Sequence, residues 1–186
     1  MVTNLVGRSI VLRPFTVDQI TDRYRAWLTD PVVNYFSRRR NMPPETAANA
    51  VAYLQSRGPE EKIFAILHAD FGHVGNISYG PIDRVNERSQ VGIFIGEPKA
   101  WGRGIGTEAV YLVARHLFED QNLHRVEAGS SNPAFIRLSE KLGWVVEGVE
   151  RDRTKIDGNY FSETLVAQLR HEFDRRPEFE PAATER

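Results

Sequence analysis

Val91–Leu117 reads VGIFIGEPKAWGRGIGTEAVYLVARHL, and its three parts carry different structural signatures. The apolar run Val91–Ile95 predicts a buried strand. A turn that contains Gly102, Gly104 and Gly106 follows. Beyond it, apolar or small residues recur at a 3.6-residue spacing to the end of the stretch, which predicts an amphipathic helix. A strand therefore leads through a glycine-rich loop into the N-terminus of a helix.

A strand, a glycine loop and a helix N-terminus together form an anion-binding site. Glycine lets the backbone approach a ligand closely, and the first N–H groups of a helix favour negative charge. Arg103 adds a cation between the glycines. Each glycine costs about 0.5–1 kcal/mol of backbone entropy, so packing alone explains three alternating glycines poorly. We therefore predict a phosphate-bearing cofactor.

Two classes of cofactor site share this chemistry, and spacing separates them. A dinucleotide-binding fold has G-x-G-x-x-G/A directly after a strand and an acidic residue about 20 positions later. Gly104, Gly106 and Ala109 fit the first requirement and Glu127 fits the second. However, Gly96–Trp101 separates the strand from the glycines, and the strands predicted before the motif lack the crossover helices of a parallel sheet. We reject the dinucleotide interpretation.

A second motif follows the glycine loop. Asn132–Trp144 reads NPAFIRLSEKLGW, and Trp101–Gly106 reads WGRGIG. In this order the two segments resemble motifs of the GCN5-related N-acetyltransferase (GNAT) superfamily, namely N-x-x-[SA]-x-x-x-x-[EK]-K-x-G-[FW] and the coenzyme A loop Q/R-x-x-G-x-G/A. The W-G-[KR]-G form and the strand at Arg8–Pro14 resemble the branch that contains the ribosomal-protein N-terminal acetyltransferases. The resemblance covers residues 8–172.

The resemblance implies an α+β GNAT fold, whose central, mostly antiparallel mixed sheet is splayed at the acetyl-CoA site and has helices on both faces. It implies acetyl-CoA as co-substrate and no metal. In such a fold, backbone groups of the strand bind pantetheine, the loop amides hold the pyrophosphate, and the second motif contacts the cofactor. The implied cofactor-binding residues are Ile93, Phe94, Ile95, Trp101, Gly102, Arg103, Gly104, Ile105, Gly106, Thr107 and Asn132.

The remaining pattern predicts one domain over residues 1–174 and a tail, residues 175–186, that has little to bury and is expected to be disordered. Asp157-Gly158 predicts a hairpin turn, and Thr16 is placed to cap the first helix. The predicted helices are 17–28, 45–57, 105–117 and 134–142, and the predicted strands are 9–14, 62–68, 73–80, 88–95, 125–129, 144–153 and 161–169.

Composition excludes several classes of partner. The chain has 186 residues and a formal net charge of −1, which gives no bulk attraction to nucleic acid. It has no apolar run near the roughly 18 residues that a membrane span needs. It also has no cysteine for a disulfide or a thiolate site. We expect a cytoplasmic protein without nucleic-acid or membrane partners, and the resemblance implies a monomer or a homodimer.

The sequence departs from the family where many members carry out proton transfer. Gln90 stands at the position of a general-base Glu, and an amide cannot take a proton at neutral pH. Ser139 stands at the position of a general-acid Tyr. The candidate catalytic residues are Glu97, directly after the cofactor strand, Asp152, near the expected acceptor site, and Ser139 itself. Histidine has a suitable pKa, but His73 lies at a predicted hairpin. If none of these groups acts, solvent moves the protons.

We therefore predict an N-acetyltransferase that moves an acetyl group from acetyl-CoA to a primary amine by direct attack in a ternary complex. An amino sugar, nucleotide-linked or free, ranks first as acceptor, because Tyr24–Asn34 is similar to a segment of members that acetylate amino sugars. Arg38, Arg39 and Arg40 would suit an anionic acceptor. The N-terminal amine of a ribosomal or other protein and a polyamine are alternatives. A non-catalytic acyl-CoA-binding protein is the alternative from a different class.

Overall fold

A computed structural model describes residues 4–36 and 47–181, which form one mixed sheet of eight strands with helices packed on it. Its strands are β1 (Leu5–Val6), β2 (Ile10–Pro14), β3 (Lys62–His68), β4 (Gly72–Tyr79), β5 (Arg88–Ile95), β6 (Arg125–Ser130), β7 (Val145–Ile156) and β8 (Asn159–Leu169). Its α-helices are α1 (Asp22–Thr29), α2 (Ala47–Gln55), α3 (Ile105–Arg115) and α4 (Pro133–Lys141).

The strand order is β1-β2-β3-β4-β5-β6-β8-β7. Neighbouring strands pair antiparallel except β5 and β6, which are parallel. The crossover between these two strands contains the glycine loop and α3, as a parallel connection requires. The mostly antiparallel mixed sheet that the resemblance implied is confirmed.

Successive side chains of β3 pack into different apolar clusters, which shows that helices cover both faces of the sheet. Phe64 and Ile66 are fully buried in one apolar cluster, which includes the buried face of α3. Ala65, between them, belongs to a second cluster with Tyr24 and Trp27 of α1. Successive side chains of a strand point to opposite faces, so α3 lies on one face of the sheet and α1 on the other. None of the helices in the described ranges is long and apolar enough to cross a membrane.

The first helix is shorter than predicted. Val17–Gln19 forms a 3-10 turn, and α1 begins only at Asp22. The Thr21 hydroxyl accepts a hydrogen bond from the Tyr24 amide at 3.2 Å and so caps α1. The predicted cap, Thr16, precedes the 3-10 turn, where its amide donates to the Gln19 side chain at 2.8 Å, and α1 has a second threonine cap of its own.

The tail predicted to be disordered is packed over its described part, up to Pro181. The Phe179 ring lies 5.2 Å from the Tyr111 ring of α3, centroid to centroid. The Tyr111 hydroxyl also donates a 2.7 Å hydrogen bond to Glu180, and Arg115 forms an ion pair with the same carboxylate. The Phe179 ring and the Glu180 carboxylate therefore hold this polar segment, residues 175–181, on the surface of α3.

The predicted hairpin turn at Asp157-Gly158 is confirmed. Both residues have positive φ, 49° and 84°, as the two central residues of a type I′ turn require. β7 and β8 extend to this turn, beyond their predicted ends. Their pairing is interrupted by a register shift between Glu150 and Thr154.

Candidate active site

The parallel strands β5 and β6 separate after a short paired region. They pair only from Arg88 to Gln90, opposite Arg125 to Glu127. The remainder of β5, from Val91 to Ile95, pairs with β4 alone. The two strands therefore open a gap in the middle of the sheet, which is the splay that the resemblance implied.

Part of the β5 backbone faces this gap. The Gln90 carbonyl accepts a hydrogen bond from Gly80, and the Gly96 amide donates to Val74, so these even-numbered residues bond towards β4. Because backbone groups alternate along an antiparallel pair, those of Ile93 and Ile95 face the gap. Of the three strand residues predicted to bind pantetheine, these two present backbone groups. Phe94 instead packs its side chain against the apolar cluster of α1 and α2.

The glycine loop presents a run of backbone amides at the end of the gap. Gly102 and Gly104 have positive φ, 71° and 79°, a conformation that turns successive N–H groups to one side. No backbone hydrogen bond within the described residues is donated by the amides of residues 102–107. The first such bond of α3 runs from Glu108 to Gly104, at 3.0 Å. Free amides at a helix N-terminus suit a phosphate group.

The loop is attached to the strand that precedes it. The indole nitrogen of Trp101 donates a 2.9 Å hydrogen bond to the Ile95 carbonyl. The Arg103 guanidinium points elsewhere: it donates to the Lys99 carbonyl at 2.9 Å and lies 5.3 Å from the Phe71 ring centre. The Arg103 side chain therefore fixes the shape of the loop rather than facing the gap.

A cavity of about 970 Å³ fills the gap and reaches both faces of the sheet. Of the predicted cofactor residues, all but Arg103 line it. Asn132 caps α4 by accepting from the Ala134 amide at 2.9 Å. Arg137 and Lys141, one helical turn apart on α4, also line the cavity. The sequence analysis did not name these two cations as site residues. Their i, i+4 spacing, after Asn132 in the chain, places them on one face of the helix.

The second half of the cavity is apolar and aromatic. Its walls come from the first strand–helix segment, α1, the chain that follows α1, and α2: Phe15, Tyr24, Leu28, Val32, Val33, Tyr35, Phe36, Ala50 and Tyr53. Asn76 and Ser78 of β4 supply polar groups at its base. Among the described residues, the lining contains no Asp, Glu or His side chain. The arginines at positions 38–40 lie outside the described residues.

Glu97 is not placed to act as a base. Its carboxylate pairs with Arg23 and accepts from the Lys99 amide at 3.1 Å, so it caps the short 3-10 helix Pro98–Ala100. The hydrogen bond from Arg23 holds the pKa of Glu97 below its usual value. Glu97 does not line the cavity. A carboxylate held ionised in an ion pair, away from the ligand space, is a weak proton acceptor.

Ser139 and Asp152 also lie away from the cavity. Ser139 is fully buried, and its hydroxyl donates to the Phe135 carbonyl within α4 at 2.9 Å. Asp152 is exposed at the register shift of β7, with a φ of 53°. Gln90 is exposed opposite Glu127. The geometry therefore brings the cofactor candidates together and leaves all three catalytic candidates outside the site.

Comparison with known proteins agrees with this geometry. A family model described as an acetyltransferase (GNAT) domain matches residues 9–145. The chain belongs to the GNAT acetyltransferase family. Within the described ranges, no group of three or more His, Asp or Glu side chains could hold a metal ion.

Two curated N-acetyltransferases are similar to this chain in sequence. Probable N-acetyltransferase YjcK of Bacillus subtilis (strain 168) is 36% identical over 114 residues, which cover 59% of this chain and 62% of that protein. Alpha/beta-tubulin-N-acetyltransferase 9 of Homo sapiens is 24% identical over 154 residues, 75% of this chain and 74% of that protein. The match to YjcK thus spans about three fifths of that relative's length.

Solved GNAT structures share the fold. The spermidine N-acetyltransferase of Vibrio cholerae, solved in complex with CoA and spermine, superposes with a TM-score of 0.76. The alignment covers 88% of this chain and 97% of that chain at 18% identity. At this identity, the likeness establishes the architecture.

Proposed function

We propose that the protein is an N-acetyltransferase that transfers the acetyl group of acetyl-CoA to a primary amine by direct attack in a ternary complex. The observation that carries the proposal is the gap between β5 and β6, which ends at the free amides of residues 102–107. One cavity joins this gap to a pocket on the opposite face of the sheet. Two ligands can therefore meet between the strands.

The groups present fit acetyl-CoA. The loop amides and the N-terminus of α3 suit the pyrophosphate. Arg137 and Lys141 suit a further phosphate at the same mouth. The backbone of Ile93 and the amide of Ile95 suit the amides of the pantetheine arm, because they face the gap without a β6 partner. The Ile95 carbonyl already accepts a hydrogen bond from Trp101. Acetyl-CoA supplies an activated acetyl group, and the protein positions it.

Catalysis by positioning fits the lining of the site. Holding two reactants in line supplies a large share of the rate enhancement of such a transfer. Backbone N–H groups of β5 that face the gap are fixed donors for charge developing on an acyl oxygen. Because no carboxylate or imidazole lines the described cavity, we propose that the amine attacks the thioester carbon as its neutral form. The new C–N bond forms as the C–S bond breaks, water takes one proton from the nitrogen, and the departing CoA thiolate takes one proton from water.

As acceptor we propose an amino sugar, free or nucleotide-linked. The α1 segment, whose sequence suggested this class, forms one wall of the acceptor half. Aromatic faces suit a sugar ring, and neutral polar groups suit its hydroxyls. A polyamine fits less well, since a polycation is recognised by carboxylates, and the described lining contains none.

The N-terminal amine of a protein is the second candidate acceptor. The similarity to the alpha/beta-tubulin-N-acetyltransferase, over 75% of this chain, favours a protein acceptor. One experiment distinguishes the candidate acceptors. It measures the release of free thiol from acetyl-CoA with amino sugars, UDP-linked amino sugars, N-terminal peptides and polyamines, each against a control without amine.

Because the protein has no cysteine, its own side chains add no thiol signal. We expect release with amino sugars above all other classes. Release with peptides alone would move the assignment to protein N-termini. Binding of acetyl-CoA without release for any amine would show a non-catalytic acyl-CoA binder instead.

A further inference from the structure

Asn76 is a buried polar residue at the base of the acceptor half of the cavity. The residue is among those that line the cavity and is only 8% exposed. Its Nδ2 group has no hydrogen-bond partner among the described residues. A buried N–H donor without a partner is unfavourable in a folded protein. An unused donor of this kind beside a cavity indicates a group that a ligand would satisfy.

His73 fixes the orientation of the Asn76 amide. The His73 Nε2 atom lies 2.9 Å from the Gly75 carbonyl and 3.2 Å from Asn76 Oδ1. A carbonyl can only accept, so Nε2 carries the proton and also donates to Oδ1. If the amide were flipped, the Nδ2 group of Asn76 would face the Nε2 proton of His73, and two donors would meet without an acceptor. The Nδ2 group of Asn76 is therefore directed away from His73.

The imidazole is itself held in place. It stacks on Tyr24 at 5.9 Å between ring centroids, with 14° between planes, and meets the edge of Trp27 at 5.4 Å. Burial lowers the pKa of His73, and the charges of Arg23 and Arg13 act in the same direction. The neutral tautomer that orients Asn76 is thus the one favoured at neutral pH.

Asn76 lies next to the place where the two ligands would meet. On β4 it is directly opposite Phe94 of β5, and Ser78 is opposite Gly92. The Asn76 side chain therefore projects on the acceptor face, beside the part of β5 that borders the gap. The Ser78 hydroxyl is already directed to the Gly92 carbonyl, at 3.4 Å. This leaves the Asn76 amide as a donor for the acceptor molecule.

We propose that Asn76 determines acceptor specificity by donating a hydrogen bond from Nδ2 to an oxygen on the carbon next to the reacting amine, with His73 as the residue that positions it. This inference rests on the proposed N-acetyltransferase function. The amide donor selects vicinal amino alcohols, such as the amine and neighbouring hydroxyl of an amino sugar. Amines whose neighbouring groups are ammonium ions or plain methylenes leave Nδ2 unsatisfied.

The test compares trans-2-aminocyclohexanol with cyclohexylamine, which differ by one vicinal hydroxyl. With rates corrected for the fraction of free amine, we expect the wild-type kcat/KM to be at least about tenfold higher for the amino alcohol, the effect of one well-placed hydrogen bond. In Asn76→Leu, which keeps the volume and removes the donor, this ratio falls to about one, mainly through KM.

Two further variants keep the test decisive if Asn76→Leu folds poorly. Asn76→Ala is expected to abolish the same preference. Asn76→Asp replaces the donor by an acceptor and is expected to favour trans-1,2-diaminocyclohexane over the amino alcohol. Calorimetric titration with acetyl-CoA should give the wild-type affinity in all three variants, because Asn76 lies on the acceptor face.

Equal wild-type rates for the amino alcohol and cyclohexylamine would overturn the inference, as would an equal loss on both amines in Asn76→Leu. So would turnover of neither amine by a protein that acetylates other members of the wider amine panel. Absence of thiol release with every amine of that panel would overturn the proposed function itself.

Discussion

The indole nitrogen of Trp101 donates a 2.9 Å hydrogen bond to the carbonyl of Ile95, the last residue of β5. This contact joins the glycine loop to the strand that borders the gap, and so sets the distance between the free amides and the strand backbone. Trp101 is 43% exposed and lines the cavity. It therefore combines a structural hydrogen bond with a surface that a ligand can cover.

Trp101→Phe should weaken acetyl-CoA binding about 2- to 10-fold, because it removes one hydrogen bond and keeps the aromatic surface. Calorimetric titration measures the effect. Tyr160→Phe, at an exposed aromatic residue of the β7–β8 hairpin, is the control and should bind as the wild type does. Equal affinities of Trp101→Phe and wild type would contradict a role for this contact in shaping the loop.

Gly104→Ala and Gly106→Ala should differ in their affinity for acetyl-CoA. Gly104 has a φ of 79°, where a side chain is strained by about 1–2 kcal/mol. Gly106 lies in the first turn of α3, and an added Cβ would meet Leu138 and Ile93 only at 3.6 and 3.9 Å. We expect a loss of acetyl-CoA affinity of at least about tenfold for Gly104→Ala. For Gly106→Ala, whose Cβ would lie between two cavity-lining side chains, we expect a smaller loss, below about tenfold, with slightly higher stability.

The same loss in both glycine variants would show that the left-handed turn is not what shapes the amide site. Circular dichroism and thermal unfolding of both proteins provide the control for folding. The comparison uses alanine because valine at Gly104 would add branching strain to the left-handed backbone.

Glu97→Gln should leave kcat within about threefold of the wild type and lower stability by at most about 1 kcal/mol, as for an exposed ion pair. The reason is that Glu97 pairs with Arg23 outside the cavity. In both proteins, kcat/KM should rise with pH until the acceptor amine itself is deprotonated. Acceptors of different amine pKa should shift the profile accordingly. A fixed inflection near pH 7 for all acceptors would reveal an enzymatic base.

His73 should make the protein less stable in mild acid. Burial lowers the pKa of His73 below its ordinary 6.5, so the unfolded chain binds this proton more readily than the folded one. Stability is therefore highest above pH 6.5 and falls as the pH decreases towards the folded-state value. Thermal unfolding between pH 7.5 and 5 should show a smaller decline for His73→Gln than for the wild type. Parallel curves would contradict a buried, neutral His73.

Phe179→Ala should destabilise the protein by about 1–3 kcal/mol, since its half-buried ring packs on Tyr111. Urea denaturation measures the effect. Val85→Ala, at a residue that is 90% exposed, is the control and should change stability by less than about 0.5 kcal/mol. No change in Phe179→Ala would mean that the tail is not held on α3.

The geometry of the candidate cofactor half could be predicted because it is local. Glycines with positive φ, a helix N-terminus and the capping Asn132 lie in two short segments, so their spacing alone indicates an anion site. The acceptor half comes from α1, α2 and β4, which meet only in the folded sheet. Nothing in the order of residues shows that His73 will orient Asn76.

The three catalytic candidates show the limit of position-by-position reasoning. Ser139 occupies the motif position of a general acid, but its hydroxyl donates a hydrogen bond to the Phe135 carbonyl within α4. Glu97 is close to the strand end along the chain, yet Arg23 from α1 takes its carboxylate. Asp152 falls at a register shift that no periodicity indicates. A distant partner decides the case of Glu97, a hydrogen bond within α4 decides that of Ser139, and the register of β7 and β8 decides that of Asp152.

The most direct test of acetyl transfer is to quantify CoA and acetylated amine together in one reaction. With D-glucosamine and acetyl-CoA, the account predicts one N-acetylated sugar for each CoA released, at a rate that saturates in both substrates, and no release without amine. CoA release that does not depend on amine, or acetyl-CoA binding with no acetylated product from any amine tested, would contradict it.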